Sequence, residues 1–192
     1  MARKPIDYVA KAKKLGWDGL DKLWQKIQAR KTTGWPPGKA FEHLILRAFD
    51  LELEAQDGAV EWPYPVSLYD EVVEQIDGLV RVGHVTCLIE AKDQKDKINI
   101  EPLAKLRNQL MRRPSFVVGS VFTTSEFTEP AKILARFMSP HAIMLWNGDE
   151  IAEILRRRDF KGALITKYHE ITMTGTPDYD VRAAYDDEEN GA

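Results

Sequence analysis

A chain of 192 residues with 44% hydrophobic and 30% charged residues suits one ordinary soluble domain with a helical extension, and it carries enough apolar material for a real core. Composition excludes a bilayer span, since no apolar run approaches ~18 residues. It excludes a secretory signal, since the basic start Met1-Ala2-Arg3-Lys4 leads into no apolar stretch, and a disulfide framework, since Cys87 is the sole cysteine and fits a reducing cytoplasm. The net charge of −3 permits a polyanionic partner without arguing for one: Asp186-Asp187-Glu188-Glu189 holds much of the acidity, and basic clusters stand at Lys11–Lys14, Arg107–Arg113 and Arg156–Arg158.

In chain order, Leu20, Leu23, Trp24 and Ile27 recur at i, i+3, i+4 and i+7 and predict an amphipathic helix. Residues 1–33 are read as an N-terminal helical extension, bounded by the breaker-rich loop Thr32-Thr33-Gly34-Trp35-Pro36-Pro37-Gly38. A second helix carries Phe41, Leu44, Ile45, Ala48 and Phe49 on one face. Residues 56–70 are proline-broken, with a short strand around Val60 and then a meander. Val72–Val82 and Val85–Ala91 are β-branched and apolar and predict a hairpin turning near Val82-Gly83. Glu101–Met111 reads as a helix, Phe116–Phe122 as a buried strand, and Thr128-Glu129-Pro130 as a capped helix start. Ala142–Trp146 is a further strand, and Asn147-Gly148-Asp149 opens a helix ending at Arg156–Arg158. This order predicts an α/β fold with a mixed sheet flanked by helices, residues 34–176 forming the main domain and 177–192 an acidic, disordered tail.

The hairpin holds the chemistry. Strand alternation puts Cys87, Ile89 and Ala91 on one face and Leu88, Glu90 and Lys92 on the other. A turn centred on Val82-Gly83 sets Asp77 opposite Leu88 and diagonal to Glu90, close enough for both carboxylates to converge on one ion. Two carboxylates on an apolar sheet need a compensating cation, and hard oxygen ligands suit Mg²⁺ or Mn²⁺. Lys92 would sit beside an attacking water and neutralise charge developing at phosphorus. The constellation is thus one for phosphodiester hydrolysis.

Gln75-Ile76-Asp77-Gly78 followed by Glu90-Ala91-Lys92 resembles the Asp…Glu-x-Lys signature of the PD-(D/E)xK nuclease superfamily, and specifically its Mrr-like restriction endonuclease branch. Phe41-Glu42, Thr123-Thr124-Ser125-Glu126-Phe127-Thr128 and Leu145-Trp146-Asn147-Gly148 extend the likeness over about Gly38 to Leu155. The superfamily's proline is replaced by Ile76. The resemblance implies a restriction-endonuclease-like core, with Asp77 and Glu90 as metal ligands joined by the carbonyl of Ala91. It makes Lys92 the catalytic lysine and Glu42 an accessory acid. It implies a Mg²⁺-dependent endonuclease acting on DNA in restriction or anti-phage defence, with RNA as an alternative substrate; cutting both strands of a duplex with one site per chain favours a homodimer. A catalytically silent nucleic-acid-binding or assembly protein on the same fold is the rival reading.

Lys95 and Lys97, just past the Glu-x-Lys strand, are the best placed cations to follow a nucleic-acid backbone, with Arg112 and Arg113 as further candidates. Thr123, Thr124 and Ser125 are read as caps before phosphate contacts, and Trp35, Trp62 and Trp146 as packing residues before stacking platforms. His43, His84, His141 and His169 show no zinc-ligand spacing.

Overall fold

The computed structural model describes residues 7–53 and 58–190. Helices α1 (Tyr8–Lys13), α2 (Trp17–Gln28) and α3 (Lys39–Leu53) precede strands β1 (Gly58–Glu61), β2 (Tyr64–Leu68), β3 (Glu71–Ile76), β4 (Gly78–Val82) and β5 (Val85–Lys92). Then come α4 (Glu101–Leu110), β6 (Val117–Thr123), α5 (Glu129–Arg136), β7 (Ile143–Trp146), α6 (Gly148–Arg157), α7 (Phe160–Thr174) and α8 (Arg182–Asn190). The main sheet runs β1-β4-β5-β6-β7, with β1, β4 and β5 antiparallel and β5, β6 and β7 parallel. This is the expected mixed sheet between helical layers. No helix among the described residues is long and apolar enough to cross a membrane.

Side-chain alternation splits the core in two. Cys87, Ile89, Phe122 and Trp146 pack with α2, α3, α6 and α7 on one face, whereas Leu88, Val121 and Leu145 pack with α4 and α5 on the other. Leu20, Leu23 and Ile27 of α2 lie in the first of these clusters, so the N-terminal helices share the apolar core of α3. The parallel half needs helical crossovers, α4 and α5, and the starts of α5 and of the helix after the last strand are written locally. The Thr128 hydroxyl accepts from Ala131 N to open α5, and Asn147 with Glu150 forms a reciprocal capping box at α6.

Three expectations are corrected. The predicted strand from Val72 to Val82 breaks at Asp77: β3 lies outside the main sheet and pairs with β2 in a two-stranded arm, while β4 runs between β1 and β5. Gly78 lies under Leu46 of α3, so tightly that a Cβ there would stand 2.3 Å from Leu46 Cδ2. This close approach seats β4 on α3, and the chain leaves for the arm just before it. The hairpin register also differs by two residues, with Val82 opposite Val85 and Leu79 opposite Leu88. The loop is Gly83-His84, with Gly83 at φ 54°, a conformation glycine adopts freely at the first position of a two-residue hairpin loop. Finally, the acidic tail read as disordered forms α8, held by buried Val181 and Tyr185; the Tyr185 hydroxyl donates to Asp159 Oδ2 at 2.9 Å. It follows α7, a helix the apolar periodicity had not marked.

Candidate active site

Alternation within β5 keeps Glu90 and Lys92 on one face whatever the hairpin register. Glu90 is wholly buried and Lys92 half-buried near the C-terminal end of β5, and Lys92 Nζ lies 2.5 Å from Glu90 Oε1. The β4–β5 ladder ends at the Gly78–Ile89 pair. Immediately beyond it, Asp77 continues the contact with its side chain, its Oδ2 accepting from Ala91 N at 2.9 Å. The Lys92 carbonyl, one residue on, accepts from Thr124 N at the β6 side. Alternation along the strand therefore turns the backbone groups of Ala91 toward Asp77.

Other layers of the fold close the site. Glu42, in the first turn of α3, is buried, and Lys39 Nζ stands 2.5 Å from its Oε2. From the opposite side of the sheet, Lys105 of α4 donates to both oxygens of Glu90, at 2.9 and 3.0 Å. Lys39 and Lys105 were missed by sequence reasoning. The i,i+3 spacing of Lys39 to Glu42 was an available signal, whereas Lys105 meets Glu90 only through the docking of α4 on the sheet.

Electrostatics couples these acids. Burial, and then the neighbouring Asp77 charge, raises Glu42 to about 7 despite the opposing pull of Lys39. Burial and then Glu90 raise Asp77, with the Ala91 N–H acting the other way. Burial disfavours the Lys92 ammonium, but hydrogen bonding and attraction from Glu90, aided by Asp77 and Glu42, outweigh it and carry its pKa upward. The three carboxylates thus repel one another in one desolvated place, as groups gathered for a cation do. No group of three His, Cys, Asp or Glu forms a ready-made metal cluster among the described residues. The donor chemistry nevertheless fits a hard dication: the acids are oxygen donors near enough to raise one another's pKa, and the counter-charge on Glu90 is supplied by lysine side chains.

The remaining candidates divide. Lys95 and Lys97 are exposed and line a cavity of about 530 Å³ with Trp24, Gln28, Thr124 and Ser125. A second cavity of about 430 Å³ is lined by Lys92, Gln94, Asn99, Glu101, Pro102 and Lys105. Arg112 and Arg113 line neither; both pair with Glu74 of β3, Arg113 Nη2 at 2.6 Å from Oε2. Thr124 and Ser125 tie the loop after β5 to that after β6, the Thr124 hydroxyl donating to Asp93 Oδ1 at 3.0 Å and the Ser125 hydroxyl to the Asp96 carbonyl at 2.8 Å. Arg30 of the loop after α2 closes this network through Asp93. Trp35 and Trp62 pack about the buried His43 ring, and Trp146 stacks on Phe122 at 5.1 Å, all as packing residues.

The mixed sheet between helical layers is the PD-(D/E)xK-like nuclease fold, with Asp77 at a strand break and Glu90 and Lys92 on the neighbouring strand. The chain belongs to the restriction endonuclease family, whose model (Mrr_cat) matches residues 37–155, more than half of its length. No curated protein matches the sequence. Among solved structures it is similar to AspBHI, a DNA modification-dependent restriction endonuclease, at 18% identity and a TM-score of 0.47, over 84% of this chain and 41% of that one. It is similar to the MspJI restriction endonuclease in complex with a 27-mer oligonucleotide at 17% identity and TM-score 0.43, over 92% of this chain and 38% of that one. A protein of unknown function, AF1548, is similar at 14% identity and TM-score 0.41, over 60% of this chain and 78% of that one. The chain thus spans less than half the length of the two restriction endonucleases.

Proposed function

We propose that this chain is a divalent-metal-dependent endonuclease of the Mrr-like branch, hydrolysing phosphodiester bonds in DNA in a restriction or defence role. The observation that carries the proposal is the meeting of Asp77, Glu90 and Lys92 at the C-terminal end of the central strand β5, with Glu42 near enough to feel the charges of both acids. Asp77, Glu90 and the Ala91 carbonyl would hold Mg²⁺ or Mn²⁺, with Glu42 as an accessory acid. When bound, the ion supplies Lewis acidity at the phosphoryl oxygen and a lowered pKa for water.

The chain's own residues do the rest. The Ala91 N–H fixes the orientation of the Asp77 carboxylate. Lys92 keeps its proton beside Glu90, so its ammonium can orient the attacking water and neutralise charge growing on the phosphoryl oxygens. Lys95 and Lys97, exposed past the strand end, would take phosphates flanking the cut. Two copies, each with one such site, would cut both strands of a duplex.

Purified protein with Mg²⁺ should nick or linearise plasmid DNA, and EDTA should stop it. Asp77→Ala and Lys92→Ala should each lower the rate by at least ~100-fold. Equal cutting by wild type and both variants would refute the site. A matched RNA oligonucleotide cut in preference to DNA would reassign the substrate.

A further inference from the structure

The buried carboxylate of Glu90 faces two ammonium groups, one more than its charge balances. Lys92, on the same strand, approaches Oε1 at 2.5 Å, and Lys105 of α4 bridges Oε1 and Oε2 at 2.9 and 3.0 Å. A dication bound by Glu90 competes with these ammonium groups for its oxygens, and repulsion between like charges in a buried place favours the withdrawal of one amine. The two differ in their freedom to do so. The Lys92 side chain is 33% exposed and is held on its strand beside Asp77, whereas that of Lys105 is 47% exposed on a surface helix. Lys105 also borders the 430 Å³ cavity with Lys92, Gln94 and Asn99, which gives its withdrawn ammonium a hydrated place to go. That place is next to the catalytic lysine, where the backbone of a bound nucleic acid would pass.

We propose that Lys105 is an exchangeable counter-ion of Glu90. It holds the carboxylate in the metal-free protein, yields it to the incoming dication, and then offers its freed ammonium to a nucleic-acid phosphate. The idea rests on the reading of Asp77 and Glu90 as dication ligands. It differs from simple bracing in sign. A lysine that only braces Glu90 helps the ligand set, so removing it weakens metal binding; a lysine that competes for Glu90 opposes the metal, so removing it strengthens binding.

The experiment is a titration of the full chain, without nucleic acid, with Mn²⁺, reading free Mn²⁺ by its paramagnetic resonance signal. Lys105→Met should bind Mn²⁺ about tenfold more tightly than wild type, the worth of one lost charge-assisted hydrogen bond. Lys105→Gln should shift in the same direction and serves if the first variant does not fold. In Ca²⁺, either variant should bind a short DNA duplex several-fold more weakly, and undiminished duplex binding would overturn the phosphate role. Equal or weaker Mn²⁺ binding by both variants, where Glu90→Gln abolishes binding, overturns the exchange and leaves the site reading intact. Mn²⁺ binding that Glu90→Gln leaves unchanged overturns the site reading, and the exchange with it.

Discussion

Adding a single methyl group at Gly78 tests whether the contact between α3 and β4 sets the position of Asp77. The ideal Cβ of Gly78→Ala would lie 2.3 Å from Leu46 Cδ2, 3.0 Å from Cδ1 and 3.2 Å from Cγ. Carbon atoms pack comfortably at about 3.5–4.0 Å, so the overlap exceeds 1 Å, and Leu46 is itself fully buried. Either Leu46 takes a poor rotamer or β4 lifts from α3, and overpacking of this kind costs about 1–3 kcal/mol. For a chain of this size that corresponds to a fall in Tm of about 2–12 °C. If β4 lifts, Asp77 moves with it and strains its bond to Ala91 N, and a misplacement near 1 Å can cost up to about 100-fold in rate. Thermal melting and plasmid cleavage should therefore fall together. Adding Leu46→Ala removes the clashing atoms, so the double variant should be more stable than the sum of the single losses by at least ~0.5 kcal/mol. A Gly78→Ala protein that melts within about 1 °C of wild type and cuts at full rate would refute the reasoning.

Lys167 is wholly buried, with its Nζ at 2.5 Å from both Glu150 Oε1 and the Leu145 carbonyl, so it ties α7 to α6 and β7. Lys167→Met strands the buried Glu150 and should cost about 3–5 kcal/mol by denaturant unfolding, with Glu150→Gln in the same chain recovering part of the loss because the amide still accepts the capping bond. For Glu42, a folded pKa of about 7 lies above its ordinary value of 4.5. The folded state therefore holds a proton that the unfolded state releases; the stability this gives is present below about pH 4.5 and is lost as pH rises through 7. His43 acts in the opposite sense, since burial and then Lys39 lower it to about 4, so its contribution is lost as pH falls below 6.5. In metal-free protein between about pH 6.5 and 8, Glu42→Gln should gain on wild type by up to about 1 kcal/mol, since the His43 contribution is common to both proteins; a pH-independent difference would contradict the raised pKa.

Much of this was legible where one periodicity ran uninterrupted. The seam of Leu20, Leu23 and Ile27, the alternation of Cys87 to Lys92, and the caps at Thr128 and Asn147 each encode an element locally. Alternation within β5 alone set Glu90 and Lys92 on one face, so their assignment did not depend on the hairpin register, which was displaced by two. What was not legible depended on contacts between distant elements. Val72 and Val73 are β-branched in the manner of core strands, yet they are 62% and 59% exposed on the two-stranded arm. The break at Asp77 comes just before the Gly78–Leu46 contact, which no local pattern announces. Lysine at position 167 interrupts the apolar face of α7 because its charge is satisfied by Glu150 on another helix. The acidic tail folds because Val181 and Tyr185 find the core, against the drift of its composition. Lys105 reaches Glu90 in the same way, across a crossover that sequence spacing does not measure.

The most direct measurement is an anomalous difference map from crystals of the wild-type chain grown with Mn²⁺. A single strong peak should lie between the Asp77 and Glu90 carboxylates, at about 2.0–2.3 Å from an oxygen of each, and should vanish in Asp77→Asn. No peak there under saturating Mn²⁺, or a peak bound by other residues that survives Asp77→Asn, would contradict the account.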